Sequence, residues 1–222
     1  MKPGTMKAEI ERIVRERKVI AIVRGFGTDD CLRLAEAYAE GGIGLVEVTF
    51  DQRRPETWAE TAASIRAIAE RFRGTVRAGA GTVMTEEQLR MCEDAGGEYM
   101  ISPNVNPALI AKCAGDGLAA MPGALTPTEA ATAWEAGASF VKIFPAGSLG
   151  PGYVKALAAP LSHIPFLAVG GISAGNVADY MKAGCVGAGV GGNLSNRKWV
   201  ASGDWASIAA AARELCAAAG AV

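Results

Sequence analysis

Four features of the 222-residue chain carry side chains or backbone suited to chemistry. The first is Lys142, inside the apolar run Phe140-Val141-Lys142-Ile143-Phe144. A lysine there is costly unless it is paired, neutral or able to snorkel to the surface. A buried ammonium has its pKa lowered, which supplies the neutral amine that attacks a carbonyl. The second is Glu47, which interrupts Leu45-Val46-Glu47-Val48-Thr49-Phe50 in the same way. It reads either as a structural partner for a nearby cation or as a general acid/base beside Lys142. Period-two counting puts Leu45, Glu47, Thr49 and Asp51 on one side. The third is Arg24, at the end of Ile20-Ala21-Ile22-Val23-Arg24. Its planar fork suits a carboxylate, and a solvated loop arginine is the competing reading. The fourth is a set of glycines, Gly170-Gly171 and Gly191-Gly192-Asn193. They are either tight turns or loops whose bare N–H groups approach an anion.

These residues need a scaffold that brings them together, and the chain reads as alternating strands and helices. The strand candidates are 19–25, 45–50, 75–83, 99–104, 119–125, 140–146, 166–172 and 186–193. Each is followed by a helix-like stretch with apolar residues three and four apart. Asn106-Pro107 and Thr126-Pro127 place an N-cap before a proline at the first helical position. Thr85 with Gln88, and Thr126 with Glu129, have capping-box spacing. Glycines at 41–42, 96–97, 137 and 184 end helices. The strands are apolar nearly throughout, as in parallel strands covered by helices. A doubly wound open sheet is the rival. Eight units in so short a chain, without a domain-scale linker, favour one (β/α)8 TIM barrel over residues 1–222. An additional N-terminal helix would cover its bottom.

In such a barrel the chemistry lies at the C-terminal strand ends, and phosphate sites lie after strands seven and eight. Lys142, Glu47 and Arg24 then face one mouth, with the two glycine pairs in the phosphate position. Small residues in Ala78-Gly79-Ala80-Gly81 clear space in that mouth, and Thr82 offers a hydroxyl. Pro103 and Pro122-Gly123 read as wall and turn residues. The reading is a phosphorylated substrate handled by an amine nucleophile.

Composition narrows the field. Half the chain is apolar, and 22 Lys and Arg against 23 Asp and Glu give a net charge of −1. That balance argues against a nucleic-acid or anionic-membrane partner. No apolar run approaches membrane-span length, and no signal core opens the chain. Five scattered cysteines read as reduced thiols of a cytoplasmic protein. One histidine, and no Cys-x-x-Cys pair, argues against a zinc site.

The chain resembles the class I aldolases of the 2-keto-3-deoxy-6-phosphogluconate (KDPG) and 4-hydroxy-2-oxoglutarate (KHG) family. The resemblance runs from about Val19 to Asn193. It rests on Val46-Glu47-Val48-Thr49, Gly79-Ala80-Gly81-Thr82-Val83, Ile101-Ser102-Pro103, Val141-Lys142-Ile143-Phe144-Pro145-Ala146 and Val169-Gly170-Gly171-Ile172. It implies that Lys142 forms a Schiff base with a keto acid and that Glu47 shuttles protons. Thr82, Pro103 and Phe144 would line the pyruvate moiety. Gly170, Gly171, Gly191, Gly192 and Asn193 would hold the phosphate. It also implies a homotrimer that needs no metal or cofactor.

Two positions depart from the KDPG-specific pattern. Asp51 stands where many such members carry arginine, and Asn193 stands where they carry serine. The 2-keto-3-deoxy-6-phosphogalactonate branch lacks the arginine after strand two and carries one ending strand one, as Arg24 does. Gly150-Pro151 and the following Tyr153-Val154-Lys155-Ala156-Leu157 also resemble that branch. Arg24 is therefore the expected carboxylate clamp, with Asp51 as its orienting partner. A barrel isomerase or synthase working without a Schiff base is the alternative, since it would share the glycines without needing Lys142. A non-catalytic ligand-binding barrel is the other.

Overall fold

The computed structural model describes residues 5–221. The strands are β1 (Val19–Val23), β2 (Leu45–Thr49), β3 (Arg77–Gly81), β4 (Tyr99–Ile101), β5 (Ala119–Met121), β6 (Gly123–Ala124), β7 (Val141–Ile143), β8 (Phe166–Val169) and β9 (Cys185–Val190). Every pairing is parallel, in the order β5-β4-β3-β2-β1-β9-β8-β7-β6. The two ends of that order are consecutive in the chain, so the sheet comes round on itself as a (β/α)8 barrel. Its fifth stave, expected as one strand over 119–125, is broken at Pro122. Proline has no N–H for the ladder. β5 pairs with β4, and β6 pairs with β7, where Gly123 lies opposite Lys142. The Pro122 carbonyl accepts from the Lys142 N–H at 2.9 Å.

Helices alternate with the staves: α2 (Thr28–Glu40), α3 (Trp58–Arg71), α4 (Glu86–Asp94), α5 (Pro107–Gly115), α6 (Pro127–Glu135), α7 (Ala146–Ala158), α8 (Val177–Lys182), and, after β9, α9 (Arg197–Ser202) and α10 (Trp205–Ala219). Both expected capping boxes form, Thr85 with Gln88 and Thr126 with Glu129. Asn106 caps α5 ahead of Pro107. α7 is interrupted at Gly150, whose φ of 78° precedes Pro151.

Alternation along each strand separates two cores. Val46, Val48, Val141 and Ile143 face the helix layer. Ile20, Leu45, Tyr99, Ile101, Met121, Phe140, Leu167 and Val169 fill the barrel interior. The helix before β1, α1 (Met6–Arg17), closes the bottom by burying Ile10 and Val14 against that interior cluster. Full burial of such side chains contributes about 1.5–3 kcal/mol each. Residues 1–4 of the expected N-terminal helix lie outside the described residues. The strands end earlier than their apolar runs, because the last residues of each run turn out of the ladder at the mouth.

Candidate active site

Phe140, Lys142 and Phe144 share the inward face, as alternation requires. Phe140 is buried in the interior, Lys142 is 7% exposed, and Phe144 reaches the rim at 37%. Lys142 Nζ lies 4.8 Å from the centroid of the Phe144 ring. Burial lowers the Lys142 pKa; the Glu47 carboxylate opposes this, and the Arg24 guanidinium adds to it.

Glu47 also points inward and is 3% exposed. Its Oε2 is sealed without a hydrogen-bond partner. Burial raises its pKa to about 7 against the pull of Lys142 and then Arg24. No ion pair within 4 Å joins Glu47 to Lys142 among the described residues, so space remains between amine and carboxylate. The small residues of β3 explain how a carboxylate fits there. A methyl group on Gly81 would overlap Glu47 Oε1, and one on Gly79 would overlap the Tyr99 ring. The glycines therefore make room for these two side chains, which corrects the expectation that they simply open the mouth.

Lys142 and Glu47 line one cavity of about 530 Å³ at the C-terminal ends of the strands. Arg24, Thr82, Pro103 and Phe144 line it too, and so do Gly170, Gly171, Gly191, Gly192 and Asn193. Thr82 has a φ of 55°, a conformation that costs a β-branched residue about 1–3 kcal/mol. Its carbonyl accepts from Gln52 Nε2 at 2.7 Å, and Gln52 in turn accepts from the buried Gln88 at 3.1 Å. This relay holds the strained turn against the cavity.

Asp51 does not orient Arg24. Its carboxylate accepts from Arg54 Nε and from the Arg53 backbone N–H, both at 2.9 Å. Those bonds hold its pKa below the usual carboxylate range, Arg54 contributing most. The i, i+3 arginine captures the carboxylate locally before Arg24 on the neighbouring strand can compete. Arg24 is exposed and reaches the cavity without Asp51.

After β8, Gly170 and Gly171 have φ values of 89° and 76°. The Gly170 carbonyl accepts from the Gly147 N–H at 2.7 Å, and Gly171 packs against Gly147 so closely that a Cβ would lie 3.1 Å from its Cα. Asn193 Nδ2 donates to the Ile172 carbonyl at 2.9 Å, which ties the two glycine segments together. The sequence reading missed Ser195 and Arg197, which also line the cavity. Ser195 donates to the Ile22 carbonyl, and its hydroxyl pairs with Tyr38. Arg197 stacks 4.9 Å from the Phe26 ring centroid and donates to the Arg24 carbonyl. Its position just beyond the second glycine pair, at a helix start, was the available signal.

Fold and cavity define a (β/α)8 barrel with an amine and a separated carboxylate in its mouth. The family model for KDPG and KHG aldolase matches residues 10–211. The chain is 39% identical over 177 residues to the 2-dehydro-3-deoxy-6-phosphogalactonate aldolase of Escherichia coli (strain K12), covering 79% of this chain and 83% of that one. It is 36% identical over 211 residues to the 2-dehydro-3-deoxy-phosphogluconate aldolase of Treponema pallidum (strain Nichols), covering 95% of each. A solved structure of native KDPGal superposes with a TM-score of 0.81 at 36% identity, over 90% of this chain and 93% of that one. The chain belongs to the KDPG and KHG aldolase family, and it is an aldehyde-lyase.

Proposed function

We propose that this chain is a class I aldolase that cleaves a 2-keto-3-deoxy-6-phospho-sugar acid to pyruvate and glyceraldehyde 3-phosphate, with Lys142 as its Schiff-base residue. The observation that carries the reading is a buried lysine of lowered pKa facing a carboxylate across an open cavity. Lys142 attacks the C2 ketone and loses water to give an iminium. Glu47, poised near neutrality, accepts the C4 hydroxyl proton directly or through water. The C3–C4 bond breaks, its electrons enter the iminium, and the aldehyde departs. The resulting enamine takes a proton at C3, and hydrolysis releases pyruvate and the free amine. Thr82, Pro103 and Phe144 flank the pyruvate moiety in this reading. The segments at Gly170-Gly171 and Gly191-Gly192-Asn193 take the phosphate through backbone N–H groups.

Arg24 is the group that meets the substrate carboxylate. With Asp51 where many KDPG-specific members carry arginine, the phosphogalactonate-type substrate is favoured, and 4-hydroxy-2-oxoglutarate is a secondary one. Residues 1–222 work as one barrel unit, assembled as a homotrimer in the cytoplasm, without metal or nucleic-acid partner. No helix among the described residues is long and apolar enough to cross a membrane.

The test is borohydride reduction in the presence of pyruvate, with the adduct mapped by mass spectrometry. A pyruvate adduct on Lys142 is expected. An adduct on Lys155, or none, overturns the assignment and favours an isomerase or synthase without a Schiff base. Cleavage assays with phosphogluconate-type, phosphogalactonate-type and hydroxyoxoglutarate substrates then rank the substrate class.

A further inference from the structure

We infer that Tyr99 is a positioning residue for Glu47, its buried phenol holding the inner carboxylate oxygen through a bound water and favouring the ionised form. Tyr99 stands on β4, and Glu47 on β2, with only the glycines of β3 between them. The β3 register sets Gly79 opposite Glu47 and Gly81 opposite Thr49. The Tyr99 ring lies across Gly79, with Cζ against the glycine, and the Glu47 carboxylate lies across Gly81. Two residues separate these glycines on one face, so ring and carboxylate are neighbours inside the barrel.

Tyr99 is fully buried. Tyr99 Oη and Glu47 Oε2 are two of the four buried side-chain polar atoms without a hydrogen-bond partner among the described residues. Two unpartnered groups near each other in a dry interior, one a donor and one an acceptor and not bonded directly, are a costly arrangement unless a bound water bridges them. Thr49 Oγ1 is a third, but Thr49 presents its methyl Cγ2 to the Gly81 surface beside the carboxylate. The division of labour follows. Oε2 is the sealed oxygen left for the phenol, and Oε1 lies over Gly81. A plain packing role for position 99 asks only for a ring over Gly79, which phenylalanine supplies. The hydroxyl is the part that packing does not explain.

The titratable and charged groups around the pair are few. Lys142 on β7 and Arg24 after β1 act on Glu47. Cys92 of α4 and Glu98, which pairs with Arg77, face Tyr99 from outside the barrel. Burial and then the Glu47 charge hold the phenol well above its usual range, so it stays a donor throughout the working pH range. A donor to the carboxylate stabilises its charged form, so removing the donor raises the pH at which Glu47 ionises.

The inference rests on Glu47 as the proton-transfer group, and two readouts separate its failure from failure of that role. In Tyr99→Phe, the acidic limb of the kcat–pH profile is expected to move up by about one pH unit. Turnover falls about fivefold near pH 7 and recovers at high pH, while KM and pyruvate trapping hold. The side-chain carboxyl 13C resonance of Glu47, assigned by its loss in Glu47→Gln, is expected to titrate higher by a similar amount. If that resonance titrates at the parent value, or lower, the inference is overturned whatever the kinetics show. If it moves up while the kcat profile does not, Tyr99 governs the ionisation of Glu47, and it is the proton-transfer role of Glu47 that fails.

Discussion

The barrel interior has two ends built from the same strands and behaving in opposite ways. At the bottom, Leu45, Phe140 and Leu167 meet Ile10 and Val14 of α1 in an apolar cluster, with the Arg15 guanidinium of α1 stacked over the Phe140 ring. Two residues further along β2 and β7, the inward positions become Glu47 and Lys142. There Glu47 Oε2, Thr49 Oγ1 and Tyr99 Oη are buried without partners, against Ser139 Oγ alone at the bottom among the described residues, Thr82 is strained, and glycines replace side chains. One end spends its burial on stability, and the other gives stability up to hold reactive groups in a dry place. Locating cost and function at the same end is what an enzyme barrel requires.

Substitutions at the two ends sharpen or break that comparison. The largest effect belongs to Lys142→Met, which is expected to lower cleavage by about 10⁴-fold or more and abolish pyruvate trapping. Its melting temperature should equal or exceed the parent's, because a desolvated amine is replaced by an apolar chain of similar length. Differential scanning calorimetry beside the assay measures both, and a large loss of stability would contradict the division. The mirror change is Phe140→Ala, one turn of the pleat below. It is expected to cost about 3–5 kcal/mol of stability, with kcat/KM near normal where the protein remains folded. Urea unfolding and kinetics at low temperature check it.

Glu47→Gln is expected to lower turnover by about 10²–10⁴-fold. Its effect on stability depends on pH. Burial raises the folded pKa of Glu47 to about 7, above the unfolded carboxylate range. The stability tied to its proton is therefore whole at low pH and is lost as pH rises through about 7. The variant should match the parent near pH 4 and exceed it by about 1–3 kcal/mol at pH 8. An advantage that is constant with pH would disprove the linkage. At the smaller end, Arg24→Ala is expected to raise KM about tenfold, as for loss of one charged hydrogen-bonding group. Asp51→Ala should change KM less than twofold, since Asp51 is committed to Arg54 and Arg53. Equal effects from both variants would restore the idea that Asp51 orients Arg24.

The same contrast explains what could be read without coordinates. Lys142 and Glu47 were legible because a charge inside an apolar strand violates the pattern around it. The bottom of the barrel was legible for the reverse reason, since α1 and the strands obey their periodicities. Tyr99 obeys its pattern too, so it reads as core, and only its neighbours reveal the hydroxyl as unexplained. Arg197 opens a short helix, and only its place just beyond the second glycine pair marks it in sequence. The left-handed turn at Thr82 has no signature in residue type. The capture of Asp51 by Arg54 follows a spacing of three, whereas the expected pairing with Arg24 crossed between strands. The break at Pro122 was written in the chain, but a proline at a strand end and one within a stave look alike.

That break also gives the ring a seam. The fifth stave pairs through its lower half, β5, with β4 and through its upper half, β6, with β7, and Ala120 of β5 reaches the β7 side only by its carbonyl. The Ser139, Lys142 and Phe144 N–H groups, donated to the carbonyls of Ala120, Pro122 and Ala124, are the short stitches across it, and the Phe140 N–H shares the Ala120 carbonyl at 3.4 Å. Thermal breathing of the barrel should begin there, and those three amides should exchange with deuterium sooner than the amides between β2 and β3. Because Lys142 is itself one of the stitches, a covalent adduct on its side chain would anchor the seam from inside, and slowed exchange at the same three amides would record it.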